Sequence, residues 1–418
     1  MKQRLAVGVT AMCITPLRLE RAMLRLSQVL GVDSLFIPDH YCGFMPRALW
    51  RPEVIPAARQ IPSPHAFLDP FVMLGMIAAT YRRVRIATGV TEALRRHPVS
   101  LAQAALTIDH ISKGRFILGI GNGERENTEP YGVPFTKRVA RLEEALAIIR
   151  LLWESRGEPV DFDGTFWSLR KALFATPLYN GKAPPIWLAA NAPRMLQLTG
   201  RYADGWLPNR RFSAQEYRSG LDQITMAAAA AGRSMAAFEP ALMIGVTLDR
   251  DRRTALANLV KMPSSAVLAM QLPGAVWATH GLRHPMGERF EGFADFLPEQ
   301  VTLGQVDAAH RQLTPELLEE GCLAGNLDEV TAAVRALVDA GLCHLVLWNF
   351  GPPSGAVAAA LVRLAQLLRR LKRIALPPRD SDPSPSTGEP APGGPARLGG
   401  RAIGPLRDNR GKEKGTCR

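Results

Sequence analysis

The stretch Val84–Gly121, "VRIATGVTEALRRHPVSLAQAALTIDHISKGRFILGIG", decides the fold. It opens on a β-branched run, Val84 to Val90, interrupted near its end by Gly89, and passes through a Pro-started apolar segment of helical length. It then closes on a second apolar run, Arg115 to Gly121. Strand, helix, strand is one step of a parallel sheet, because parallel neighbours need a crossover that is usually a helix. Working outward, the same rhythm recurs in Leu5 to Thr10 and Ser34 to His40. It recurs again in Pro185 to Asn191, Gly205 to Asn209, Ala241 to Leu248 and His344 to Phe350. Between these runs lie amphipathic helices. In Val139 to Trp153, for example, Val139, Leu142, Leu146, Ile149 and Trp153 fall on one face while Arg141, Glu143, Glu144 and Arg150 fall on the other. Eight strands with eight helices predict an α/β fold, a closed (β/α)8 TIM barrel occupying residues 1–376 as one domain.

The chain has 418 residues, 47% hydrophobic and 21% charged, so it can bury a large core. Its five cysteines are odd in number and widely spaced, without a C-x-x-C pair or a zinc-like Cys/His set, which predicts a reducing, cytoplasmic setting. The apolar N-terminal run has the look of a secretion signal, but a buried first strand explains the same residues. No apolar run approaches the roughly 18 residues of a membrane span, so no transmembrane segment is expected. The formal net charge is +13, yet the Lys and Arg are dispersed and not interleaved with aromatics, so nucleic acid is not an expected partner. From Pro377 to Arg418 the sequence has eight Pro and eight Gly among almost no large apolar side chains, a composition that predicts a disordered tail over 377–418.

In a barrel of this type the chemistry gathers at the C-terminal ends of the strands. Two loops there are unusually long: Tyr41 to Pro70 after the second strand and about Pro263 to Gln305 after the seventh. Both are rich in Trp, Phe, Pro and Met, which suits lids over an apolar ligand, although helical decoration packed on the barrel accounts for the second equally well. "PDHYCGF" sets Asp39 and His40 at the second strand end, an imidazole beside a carboxylate that is able to move a proton near neutral pH. A bare Asp-His pair is also a common strand cap, and no further ligands stand at metal spacing.

"GIGNGERENTEPYG", Gly119 to Gly132, follows the fourth strand. Alternate glycines let the backbone at Gly121, Asn122 and Gly123 approach a flat ring or a phosphate, and Glu124 brings a carboxylate to the barrel mouth. The spacing is neither the dinucleotide fingerprint nor the P-loop, and Pro130 and Pro134 prevent a helix from opening on the last glycine. Gly89 and Val90 end the third strand, where a glycine marks a bulge or a close approach. Ala189 to Ala192, all small but for Asn191, lead from the fifth strand into a helix near Pro193 whose free amides suit a phosphate.

The strings "DSLFIPDH", "VRIATGV", "HPVSLAQAALTIDHISKGRFILGIGNGE", "FTKRVARLEEALAIIRLLWE", "VDFDGTFWSL" and "PIWLAANAPRMLQLTGRYADGW" together resemble the luciferase-like oxidoreductases. More narrowly they resemble the branch that uses coenzyme F420, an 8-hydroxy-5-deazaflavin. The resemblance runs from about Leu5 to about Lys372. It implies that His40 sits beside the reactive edge of the deazaflavin, with Asp39 orienting it, Glu124 as the carboxylate after the glycine turn and Asn127 against the ring hydroxyl. It further implies a non-prolyl cis peptide at Gly89-Val90 behind the ring next to Thr91, and a phosphate loop at Ala190 and Asn191. The family's sugar-phosphate grip is missing here, and Phe44 stands where that branch has a Trp. The implied activity is therefore hydride transfer from reduced F420 to a long-chain lipid ketone, with His40 as the expected proton donor, Asp39 orienting it and Glu124 as the second candidate or relay. A reduced-FMN monooxygenase of the same superfamily and a non-catalytic cofactor- or lipid-binding barrel are the alternatives. The exact lipid, a homodimer and a transient membrane contact are left open by these residues.

Overall fold

The structure, a computed structural model, describes residues 3–349 and 357–378. Eight parallel strands close into a barrel. They are β1 (Ala6–Thr10), β2 (Ser34–Ile37), β3 (Arg85–Thr88), β4 (Phe116–Gly121), β5 (Ile186–Leu188), β6 (Gly205–Trp206), β7 (Glu239–Leu248) and β8 (His344–Asn349). Each pairs with the next in this order, and β8 returns to β1 through the register Ala6 to His344. Every strand of the predicted eight is present, several of them shorter than the apolar run that announces it. The run from Ser34 leaves the sheet after Ile37, so Asp39 and His40 stand on the loop beyond it. Phe350, at the end of the eighth run, lies outside the described residues, as does all of the expected tail except Pro377 and Pro378.

Side chains from alternate positions fill the barrel as a solid core, in which Phe36, Ile117, Trp187, Met243 and Val346 interlock. Gly119 permits this closeness: a Cβ there would lie 2.1 Å from the Thr88 carbonyl oxygen. The outer layer is held by helices whose first turns follow ordinary capping chemistry. Asp69 accepts from the amides of Phe71 and Val72 to start α2 (Pro70–Thr80), which follows α1 (Leu17–Val29). The helix over Val139 to Trp153 forms as Arg138–Glu154, with Leu142, Leu146, Ile149 and Leu152 buried against the sheet.

Several elements were not expected from the sequence, among them a two-residue strand, Thr91–Glu92, that pairs with the end of β4. A short strand, Cys322–Gly325, pairs with the C-terminal half of β7, and a two-stranded antiparallel hairpin joins Val160–Asp163 to Ser168–Ala172 around "GTFW". The seventh-strand insertion is longer than expected and takes the form of packed helical decoration, one of the two readings of this loop, with helices Arg252–Val260, Pro263–Met270, Gly274–Thr279 and Leu303–Gln312. Its apolar faces make a second core around Val267, Met270, Trp277 and Phe296, into which Leu49 from the second-strand loop inserts. The two long loops thus pack on each other at the barrel mouth, the insertion supplying most of this core and the second-strand loop docking on it through Leu49.

Candidate active site

At that mouth lies a cleft of about 420 Å³. One side is built from strand ends: Thr91 and Glu92 after β3, Gly121 to Glu124 after β4, Ala189 and Asn191 after β5. The insertion supplies most of the rest, largely apolar through Leu268, Leu272, Val276 and Phe293, with Gln271 and Glu291 among them. Asn209, Arg210 and Arg211 close one end.

The polar side is organised by two networks. In the first, the buried Asp39 carboxylate accepts from the Thr91 hydroxyl at 2.6 Å and pairs with Arg96 at 2.8 Å and Arg95 at 2.9 Å. Arg95 in turn meets Glu92 at 2.7 Å and lies over the Tyr41 ring. Burial opposes the charge on Asp39, but the two guanidinium groups and the Thr91 hydroxyl hold its carboxyl below the usual range. Asp39 therefore braces the β2 and β3 loops, and its carboxylate faces arginines where the sequence reading has it orient His40.

In the second network the His40 imidazole is buried, its Nδ1 2.9 Å from Glu126 Oε1, 2.9 Å from Asn127 Nδ2 and 3.5 Å from Glu124 Oε2. The Tyr41 backbone amide donates to Asn127 Oδ1 at 2.7 Å, which turns the Asn127 NH2 toward His40 and toward Glu124 Oε2 at 3.1 Å. Phe44 packs edge-on against the His40 ring, and Phe67 lies on another side. Burial lowers the basicity of His40 against the opposing pull of Glu124 and Asp39, so the ring is neutral near pH 7. Burial likewise pushes the Glu124 carboxyl up to about 7, and the Glu126 carboxyl well above its ordinary value.

Of the residues singled out from the sequence, Asp39, Val90, Thr91, Asn122, Gly123, Glu124, Asn127 and Asn191 line the cleft. His40 sits just behind Glu124 and Asn127. His40 thus does not line the cleft, against the expectation that it sits at the reactive ring edge, and Gly89 and Ala190 do not reach it either. Gly89 packs on Phe36 and Met243 in the barrel interior, and Ala190 is buried with its carbonyl accepting from Trp206 Nε1 at 2.8 Å. The Gly89-Val90 peptide is cis. Sequence reasoning missed Glu126 and Glu92. For Glu126 a signal was available: the run Glu124 to Asn127 winds into the short 3-10 turn Arg125–Asn127, which puts both carboxyls and the amide within one turn of each other.

The floor of the cleft suits a flat ring. Val90, Gly121 and Ala189 meet there, and a Cβ on Gly121 would fall 3.1 Å from Val90 and 3.5 Å from Ala189. Trp348 at the end of β8 also lines the cleft, and its indole N–H is buried without a partner among the described residues.

Comparison with known proteins agrees with this architecture. A family described as "Luciferase-like monooxygenase" matches residues 3–344. The chain is 39% identical over 364 residues to the phthiodiolone/phenolphthiodiolone dimycocerosates ketoreductase of Mycobacterium kansasii, taking in 85% of this chain and 98% of that protein. It is 29% identical to the 5,10-methylenetetrahydromethanopterin reductase of Archaeoglobus fulgidus, over 79% of this chain and 88% of that one. An F420-dependent secondary alcohol dehydrogenase solved with an F420-acetone adduct shares the fold, with a TM-score of 0.68 at 19% identity, across 88% of this chain and 99% of that chain.

Proposed function

Because the chain belongs to the luciferase-like monooxygenase family, and because its cleft sets a carboxyl–imidazole cluster beside a mostly apolar wall, we propose that it is an F420-dependent ketoreductase. Its substrate on this reading is the keto group of a long-chain lipid of the phthiodiolone or phenolphthiodiolone dimycocerosate type, and its product the secondary alcohol. The Mycobacterium kansasii relative supports that substrate class. The observation that carries the reading is the pairing of Glu124, exposed to the cleft, with the buried His40 behind it.

The residues present fit a deazaflavin. Val90, Gly121 and Ala189 would take the ring face, the free Trp348 N–H would meet a ring acceptor, and Asn191, Asn209, Arg210 and Arg211 would hold the anionic side chain. When bound in its reduced form, the coenzyme supplies the hydride. The chain supplies position and a proton. Leu272, Val276 and Phe293 hold the lipid chain and exclude water, and the Glu124 carboxyl gives its proton to the ketone oxygen as the C–H bond forms. A carboxyl poised near 7 is protonated in about half the molecules at neutral pH, which suits that role.

A titration of the purified protein with oxidised F420 and, in parallel, FMN tests this reading, together with anaerobic turnover of reduced F420 on a long-chain ketone. Binding of F420 with ketone-dependent oxidation of its reduced form is expected. Preferential binding of FMN, with oxygen consumed on addition of reduced FMN, overturns it in favour of a monooxygenase.

A further inference from the structure

Glu126 is 2% exposed, and the catalytic reading above gives it no role. One of its oxygens, Oε1, lies 2.9 Å from His40 Nδ1, while the other, Oε2, is buried without a partner among the described residues. Glu126 lines a second pocket of about 340 Å³ that shares no lining residue with the main cleft, formed by the β2 and β4 loops and the seventh-strand insertion, with Tyr41, Cys42, His65, Tyr131 and Glu299. Glu126 is thus the one carboxyl of the cluster that lines this pocket, while Glu124 lines the cleft.

The geometry points to a proton relay in which Glu126 takes protons from the second pocket and hands them through His40 Nδ1 to Glu124 at the cleft. This rests on the reductase reading. After Glu124 has given its proton to the substrate oxygen it is a carboxylate. The Glu126 O–H bond then breaks as an N–H bond forms at His40 Nδ1, giving an imidazolium between two carboxylates. That N–H breaks in turn as Glu124 is reprotonated. The net change is one proton moved from Glu126 to Glu124, with His40 restored, and water in the second pocket returns a proton to Glu126.

The groups facing Glu126 agree with this direction. Burial lowers the basicity of His40, so its imidazolium is a short-lived carrier that passes its proton on to the Glu124 carboxylate. Cys42 and Tyr131 are both pushed further toward their uncharged forms by burial, and Cys42 donates to the Glu126 backbone carbonyl. Arg47, His65 and Glu299 stand across the pocket and engage one another, His65 with Glu299 at 2.9 Å. Glu124, the remaining neighbour, is the acceptor. His40, Glu124 and Glu126 bring their polar atoms within 4.8 Å of one another, but the Asn127 NH2 is turned into the cluster. A cation there would meet a donor where it needs a lone pair, whereas transient protonation of His40 Nδ1 requires only that the Asn127 NH2 shift fully onto Glu124 Oε2, which it already meets at 3.1 Å.

The test is Glu126→Gln, which keeps the shape. In the cofactor-free protein at pH 7, the infrared absorption of protonated buried carboxyls is expected to have a Glu124 component in both proteins and a second component, from Glu126, that is present in the wild type and lost in E126Q. In the loaded enzyme, E126Q is expected to bind F420 within about twofold of wild type while ketone turnover falls about tenfold or more, with an altered pH profile. An E126Q enzyme with wild-type turnover and pH profile overturns the relay, and so does a protonated-carboxyl absorption that is the same in wild type and E126Q. Failure of both proteins to bind F420 strikes the ketoreductase reading instead, and the infrared comparison still judges the protonation of Glu126.

Discussion

Arg95 and Asp39 meet at 2.9 Å with side chains only 2% and 1% exposed, joining the loop after β3 to the loop after β2 beneath the cleft. Arg95 also donates to the Asp39 backbone carbonyl, so the guanidinium fixes the very residue that precedes His40. A buried pair of this kind contributes little against an apolar replacement of both partners, but removing one partner leaves the other charge stranded.

Asp39→Asn is therefore expected to lower stability by about 3 kcal/mol, seen as a fall of several degrees in the thermal midpoint. The pH dependence follows from the lowered carboxyl. The Asp39 contribution is present above the unfolded-state value of about 3.9 and is lost as pH falls through the lower folded-state value. The gap in melting temperature between wild type and D39N should accordingly narrow in strong acid, and a constant gap down to that range would contradict the assignment.

Glu124 should set the pH response of catalysis. Ketone reduction needs its protonated form, so the rate is expected to fall as pH rises through about 7, and the reverse oxidation of the alcohol to rise over the same interval. Glu124→Gln should reduce ketone turnover by about 100-fold and abolish that inflection. A rate profile with the same inflection in E124Q would assign the titration to another group.

Gly119 and Gly121, two residues apart on β4, should fail differently when substituted. A methyl at Gly119 drives into the Thr88 carbonyl, and Gly119→Ala is expected to cost about 1–3 kcal/mol in denaturant unfolding. At Gly121 the nearest neighbours are the Val90 and Ala189 side chains at the cleft floor, so Gly121→Val should weaken F420 binding about tenfold. Equal loss of stability in both variants, with F420 binding intact in the second, would refute the floor assignment.

The apolar wall should discriminate by chain length. Val276→Asp is expected to raise the KM for a long-chain ketone about tenfold while leaving the F420 dissociation constant unchanged, since Val276 belongs to the insertion and not to the strand ends. Steady-state kinetics with a short and a long ketone separate the outcomes. An equal effect on both substrates would place the lipid chain elsewhere.

The barrel itself is legible in the chain. Apolar runs broken at glycine or aspartate, with helical stretches between them, predict eight parallel strands, because such runs can bury both faces only inside a sheet covered by helices. At the ends of those runs, Asp39, His40 and Glu124 are likewise marked as site candidates by position, and Thr91 and Asn127 by the family resemblance. What the sequence conceals is partnership. Asp39 is adjacent to His40 in the chain, yet its carboxylate turns to Arg95 and Arg96, more than 50 residues away along the sequence. His40 is held by Glu126 and Asn127, from another loop entirely. Cys322–Gly325 is too short and too ordinary in composition to announce a strand, and it forms one only because the edge of β7 is there to receive it. Local periodicity is written in neighbouring residues, whereas the choice of ion pair, the burial that lifts Glu124 toward 7 and the pocket behind Glu126 exist only once distant loops have packed against each other.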